Sequence, residues 1–234
     1  KNTVGGATSH GNCGTITPSH ALPLAAPGMI GKALKYMTQA DAPFYVKPST
    51  DLALLEWLLR FSLRCNAKDM HQAALAKAAL LNGSRALLQE TVDEYRLECA
   101  FSASGVMYAF NSRQGLDDML LELPLLRECA VRSEVLSAAE LAQREPALKP
   151  GMVGGVFFPD DAHFRPDAYC AELARAVRGL GGVIDEHCEV LALQCLAGKI
   201  QAVQTNKGDY VTEDVVMAMA VWSSALAKSI ELNL

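Results

Sequence analysis

A chain of 234 residues and 25.1 kDa has room for one large domain or two modest ones around a real hydrophobic core, which excludes disorder and a small disulfide-stapled scaffold. Half of the residues are hydrophobic and 20% are charged, as in an ordinary globular protein. The formal charge of −5, with no Lys/Arg cluster, argues against a nucleic-acid partner, and no apolar run reaches the ~18 residues that span a bilayer.

The seven cysteines are odd in number, scattered, and never spaced Cys-x-x-Cys. That usage suits a reducing compartment in which thiols serve as small core hydrophobes. No two of the five histidines stand four apart, so a zinc site is not expected. The chain opens on no charged segment followed by an apolar run, and the cytoplasm is the default expectation.

Residues 1–28, rich in Gly, Thr, Ser and Pro, read as an extended loop, followed by a short helix from Gly28 to about Met37. Phe44-Tyr45-Val46 resembles a brief strand. Ser49-Thr50-Asp51 then caps a helix reaching about Asn66, with Leu52, Leu55, Leu58, Leu59 and Leu63 at helical spacing. A second long helix, 68–95, is expected to pack against it, burying Trp57 and Phe61; the alternative is a membrane-surface role for the same residues. Strands follow at 99–101 and 106–110, then a helix from about Gln114 to Ala130 broken at Pro124. A strand over 131–136 precedes Ser137 and Glu140, whose spacing is that of a capping box. That helix ends at Glu145-Pro146.

From Gly151 the pattern changes to strand 153–158, helix 166–179, strand 183–186, a hairpin of 188–195 and 199–205, and strand 214–219. Ala197-Gly198 is the hairpin turn, and Asn206-Lys207-Gly208 turns the chain towards Tyr210.

Four places carry chemistry. The stretch Gly5 to Thr15 is dense in small residues and hydroxyls, which let backbone N–H groups approach an anion or a planar ring; a flexible terminus would have the same composition. Asp160, Asp161 and His163 follow a strand, where a carboxylate can tune a histidine, although such turns are more often Asx-capped loops. His187-Cys188 are strand neighbours pointing to opposite faces, which favours packing over a thiolate pair. The strand–helix–strand alternation of the last third is that of a nucleotide-binding sheet. A cofactor-free α/β interaction or structural protein remains the alternative from another class.

Four segments in register then resemble one family, the FAD-dependent D-amino-acid dehydrogenases within the glycine and D-amino-acid oxidase superfamily. They are Ala7-Thr8-Ser9-His10-Gly11-Asn12-Cys13-Gly14 continuing to Ala25-Ala26-Pro27-Gly28; Leu136-Ser137-Ala138-Ala139-Glu140-Leu141 with Glu145-Pro146-Ala147-Leu148; Gly154-Gly155-Val156 with Pro159, Asp161, His163 and Pro166; and Val215-Val216-Met217-Ala218 with Trp222-Ser223. The resemblance implies an α/β (α+β) fold in which a partial FAD-binding, Rossmann-like domain, 1–37 and 151–234, carries an inserted mixed-sheet and helical substrate domain, 38–150. It implies FAD as cofactor. Thr8 and Ser9 would lie by the pyrophosphate, and Asn12, Cys13, Gly14 and Thr15 beside the flavin ring. Val190 would pair with the adenine, and Ala218 would pass beneath the diphosphate.

The implied reaction is oxidation of the Cα–N bond of a small amino acid, with a possible electron link to a quinone and a peripheral contact with the inner membrane. The 234 residues hold no Gly-x-Gly-x-x-Gly turn, and Ala220 stands where the family has glycine in its closing motif. The resemblance therefore implies an interior stretch of a flavoenzyme, inactive by itself, and assigns no catalytic residue.

Overall fold

The computed structural model describes residues 3–37, 41, 49–228 and 230–232, so the strand expected at Phe44-Tyr45-Val46 lies outside the described residues. The chain divides into two compact units, residues 14–165 and residues 1–13 with 166–234. Residues 154–158 complete a sheet with two strands from 106–137 and so lie in the 14–165 unit.

In the 14–165 unit, β1 (Thr15–Ile16) leads to a 3₁₀ turn at Pro18–Ala21 and to α1 (Met29–Tyr36). Helix α2 (Leu52–Arg64) starts where Asp51 accepts from the Ala53 N–H at 2.9 Å, as its capping cluster predicts. Helix α3 (Ala67–Tyr95) starts on Asn66, whose side chain accepts from the Asp69 N–H, and runs through Gly83. Next come β2 (Val106–Phe110), α4 (Arg113–Glu128), β3 (Glu134–Ser137), α5 (Ala138–Arg144), β4 (Gly154–Phe158) and β5 (Ala162–His163). The capping box at α5 forms as expected: Ser137 Oγ accepts from the Glu140 N–H while Glu140 Oε2 accepts from the Ser137 N–H at 2.8 Å.

Strand β4 is the centre of this unit. It pairs antiparallel with β2 on one side and β3 on the other, giving the order β2-β4-β3. Ala74 and Ala78 of α3, Leu116, Leu123 and Leu126 of α4, and Val156 and Phe158 of β4 make one buried cluster. Helix α4 is continuous through Pro124, against the expected break. Proline forfeits one backbone bond, but Leu123 and Leu126 on either side are buried, and their packing holds the last turn in place.

Two further expectations fail here. Residues 99–101 form no strand; Ser102 alone bridges to His163. Helix α2 buries none of its residues, with Leu52 79% and Trp57 57% exposed, so its apolar face is not packed on α3. Helix α3 instead packs against the 3₁₀ turn and α4.

In the second unit, α6 (Pro166–Gly179) is followed by β6 (Val190–Leu196), β7 (Lys199–Thr205), β8 (Gly208–Val211), a 3₁₀ turn at Ala220–Trp222, and α7 (Ser223–Lys228). The three strands form one antiparallel sheet in chain order. Its first turn lies at Ala197-Gly198 as expected, both with positive φ (51° and 75°), which matches the twist of the flanking strands. The Asn206-Lys207-Gly208 turn adds β8, a strand the sequence pattern did not show. Residues 183–186 and 214–219 are not strands, and His187-Cys188 precede β6 rather than belonging to it. Val183 and Val216, 84% and 92% exposed, have the composition of strands without a ladder to join among the described strands. The mixed helix-and-sheet class holds, with every described strand pairing antiparallel.

Candidate functional site

Residues 3–11 form consecutive tight turns, with the His10 N–H donating to Ala7 O at 3.1 Å and the Asn12 N–H to Ser9 O at 3.4 Å. The segment is fixed at its start: the Val4 N–H donates to Glu186 Oε1 at 2.8 Å, and Gly5 (φ 69°) lies so close to α6 that a Cβ there would sit 2.9 Å from Cys170 Cβ. Thr8, Ser9, Asn12 and Cys13 are exposed. At the start of the 14–165 unit, Gly14 is buried with φ 72°, its carbonyl accepting from the Phe164 N–H at 2.9 Å, and Thr15 is exposed on β1. These six candidates thus form one continuous run of hydroxyls, an amide, a thiol and backbone amides.

Val190 opens β6, the outer strand of its sheet, opposite Thr205, and the register shifts immediately after it. Ala218 is exposed in the extended segment before the 3₁₀ turn. Two residues on, Ala220 has φ 50°, a conformation glycine adopts at low cost and other L-residues rarely do. Alanine therefore occupies a glycine-type backbone site at the position where the resembled family has glycine. The donor set suits a dinucleotide. Short hydroxyls and backbone N–H groups complement phosphate oxygens and a ring edge, and an outer strand offers backbone groups to a planar base.

The expected grouping of Asp160, Asp161 and His163 does not form a unit. Asp160 takes a two-pronged ion pair from Arg132, with Nε to Oδ2 at 2.8 Å, and that guanidinium holds its carboxyl below the ordinary aspartate value. Asp161 is 1% exposed and accepts from the Ser19 N–H at 3.1 Å and Ser19 Oγ at 2.6 Å. Burial raises its carboxyl, against the lowering effect of the Ser19 bonds. His163 is held through its backbone, exchanging two hydrogen bonds with Ser102.

Sequence reasoning missed the group that Asp161 supports. By holding Ser19, Asp161 fixes the 3₁₀ turn, and the next residue, His20, hydrogen-bonds through Nε2 to the Tyr108 hydroxyl, with Nδ1 3.1 Å from Thr17 Oγ1. Tyr108 packs edge-on against Phe158, ring centroids 5.6 Å apart, and burial raises its phenol above the ordinary value. Which of the two donates depends on the imidazole tautomer. No local signal could pair residues 20 and 108, because one lies in the 3₁₀ turn and the other on β2, 88 residues later.

The family description "FAD dependent oxidoreductase" matches residues 1–234. The chain is 30% identical over 230 residues to D-amino acid dehydrogenases from strains of Vibrio cholerae serotype O1, covering 97% of this chain and 55% of theirs. It therefore spans about half the length of the curated relatives it matches. Among solved structures, it is similar to glycine oxidase from Geobacillus kaustophilus, with TM-score 0.69 at 18% identity, covering 100% of this chain and 51% of that one. It is also similar to iminodiacetate oxidase from Chelativorans sp. BNC1, with TM-score 0.57 at 13% identity, covering 97% and 50%. At these identities the structural likeness concerns the fold.

Proposed function

We propose, because this chain belongs to the FAD-dependent oxidoreductase family, that it forms part of an enzyme oxidising the Cα–N bond of a small D-amino acid to an imino acid. The observation that carries this reading is the likeness to D-amino acid dehydrogenase, 30% identity sustained over 97% of the chain. In it, 1–37 and 151–234 contribute to the FAD-binding domain and 38–150 to the substrate domain.

FAD, the family's cofactor, accepts a hydride when bound. Thr8 and Ser9 would donate hydroxyls to its pyrophosphate, and the backbone of Asn12, Cys13, Gly14 and Thr15 would border its ring. Val190 would offer strand-edge backbone groups to the adenine. Ala218, with its small side chain, would let the last segment pass close to the diphosphate. The exposed hydroxyls of Thr8 and Ser9 and the outer position of β6 support these roles.

A quinone as electron acceptor and a peripheral position at the cytoplasmic face of a membrane belong to the same proposal. The exposed apolar face of α2 supports it, with Trp57 stacked on Phe61 at 5.4 Å. Among the described residues, no helix is long and apolar enough to cross a membrane. The test is dye-linked oxidation by the protein expressed from the whole reading frame that contains these residues. Turnover of D-alanine in preference to L-alanine is expected, and the absence of amino-acid oxidation with FAD bound would overturn the reading.

A further inference from the structure

We propose that the open cavity lined by the stretch 19–32, α3, α4 and β2 is a binding site for a small carboxylate on an unbranched apolar chain. The cavity, about 520 Å3, has the size of a small-molecule site. None of the eight cofactor-candidate residues lines it, and the proposal does not depend on the flavoenzyme reading.

Its charge is set by three side chains. Lys32 and Lys77 supply two ammonium groups, and Glu122 is the single acid among the described lining residues. Lys77 is positioned: Nζ donates to Leu22 O at 3.3 Å, which holds the ammonium against the cavity wall with donors to spare. Two ammonium groups thus face one carboxylate, so the acid offsets the two cations incompletely. The wall therefore favours an anion.

The apolar part selects shape. Met29, Met70 and Met119, from three different elements, face the same space. Thioether side chains are unbranched and adaptable, and they suit a straight chain better than a rigid ring. Part of the rim is tied down by hydrogen bonds. His20 and Tyr108 are joined to each other, and the turn carrying His20 is fixed by the buried Asp161–Ser19 pair. A partly tied rim, two cations and a compliant apolar floor form a pre-organised site, which lowers the ordering cost of binding.

The experiment uses this chain with 13C-labelled methionine methyls, titrated with hexanoate, norleucine and hexanol. Saturable shifts of the Met29, Met70 and Met119 resonances with hexanoate or norleucine are expected, with Met152 and Met217 unmoved. Norleucine binding more tightly than hexanoate would identify an amino-acid head whose ammonium faces Glu122. The reverse would identify a plain carboxylate, and either order supports the site. Lys77→Met, which keeps the stem and removes the charge, is expected to weaken binding about tenfold or more, the worth of one charge-assisted hydrogen bond. Lys77→Arg is expected to retain binding. No saturable shift with either acid, hexanol binding as well as hexanoate, or unchanged affinity in a folded Lys77→Met protein would overturn the proposal.

Discussion

Removing the Asp161 carboxylate tests how the 14–165 unit is held together. Asp161 is buried and accepts two hydrogen bonds from Ser19, from the N–H at 3.1 Å and from Oγ at 2.6 Å. Asp161→Ala leaves both donors inside the protein without that acceptor, at about 1–3 kcal/mol each. Part of this is returned, because the carboxylate itself is desolvated, as its raised proton affinity shows. A net loss of about 2–3 kcal/mol is expected, which lowers the Tm of a unit of this size by roughly 4–12 °C.

The pH dependence gives a second handle on the same residue. A raised folded pKa means that the folded state binds the Asp161 proton more tightly than the unfolded chain does. Its contribution to stability is therefore full below the ordinary aspartate value of 3.8 and is lost as pH rises through the higher folded value. Asp161→Asn is expected to remove that component of the slope. Urea and thermal unfolding followed by circular dichroism, across a pH series, measure both effects. An Asp161→Ala protein within about 0.5 kcal/mol of the parent, the range of a neutral surface change, would refute the reasoning.

Pro124→Ala, which restores one backbone bond in the continuous helix α4, is expected to stabilise the unit by about 1 kcal/mol, read by urea unfolding. Gly155→Ala places a Cβ 2.8 Å from the Tyr108 carbonyl oxygen across the β2–β4 pair, and should destabilise by about 2 kcal/mol or more in the same assay. Amide hydrogen exchange in α2, which buries none of its residues, is expected to be much faster than in the middle of α4, where Leu116, Leu123 and Leu126 are buried; equal protection would contradict the exposed placement of α2.

Local chemistry was legible wherever it acts over a few residues. The Asp51 and Ser137 caps and the Ala197-Gly198 turn lie where the sequence puts them, because each depends on side chains or φ preferences within one turn of chain. Pairing over distance was not legible. Residues 153–158 read as the first strand of the α/β pattern after Gly151, yet β4 is paired antiparallel with β2 and β3, strands that lie upstream in the chain. The same limit explains residues 183–186 and 214–219, whose composition is strand-like and whose ladder partner is missing among the described strands. Leu52 to Leu63 read as a buried stripe because apolar periodicity says which face is oily but not whether anything covers it. At the candidate site, the hydroxyl-rich run from Thr8 to Thr15 was visible as composition, whereas the Ser19–Asp161 and His20–Tyr108 pairs needed the fold.

If Thr8 and Ser9 serve the FAD pyrophosphate, as proposed, removing their hydroxyls weakens cofactor binding. The most direct measurement is the flavin content and FAD dissociation constant of the protein expressed from the whole reading frame containing these residues, compared with its Thr8→Val/Ser9→Ala variant. One flavin per chain is expected in the parent, and an affinity about tenfold or more weaker in the variant, the worth of lost hydrogen bonds to a charged group. A parent protein that folds without taking up FAD, or a variant that holds FAD as tightly as the parent, would contradict it.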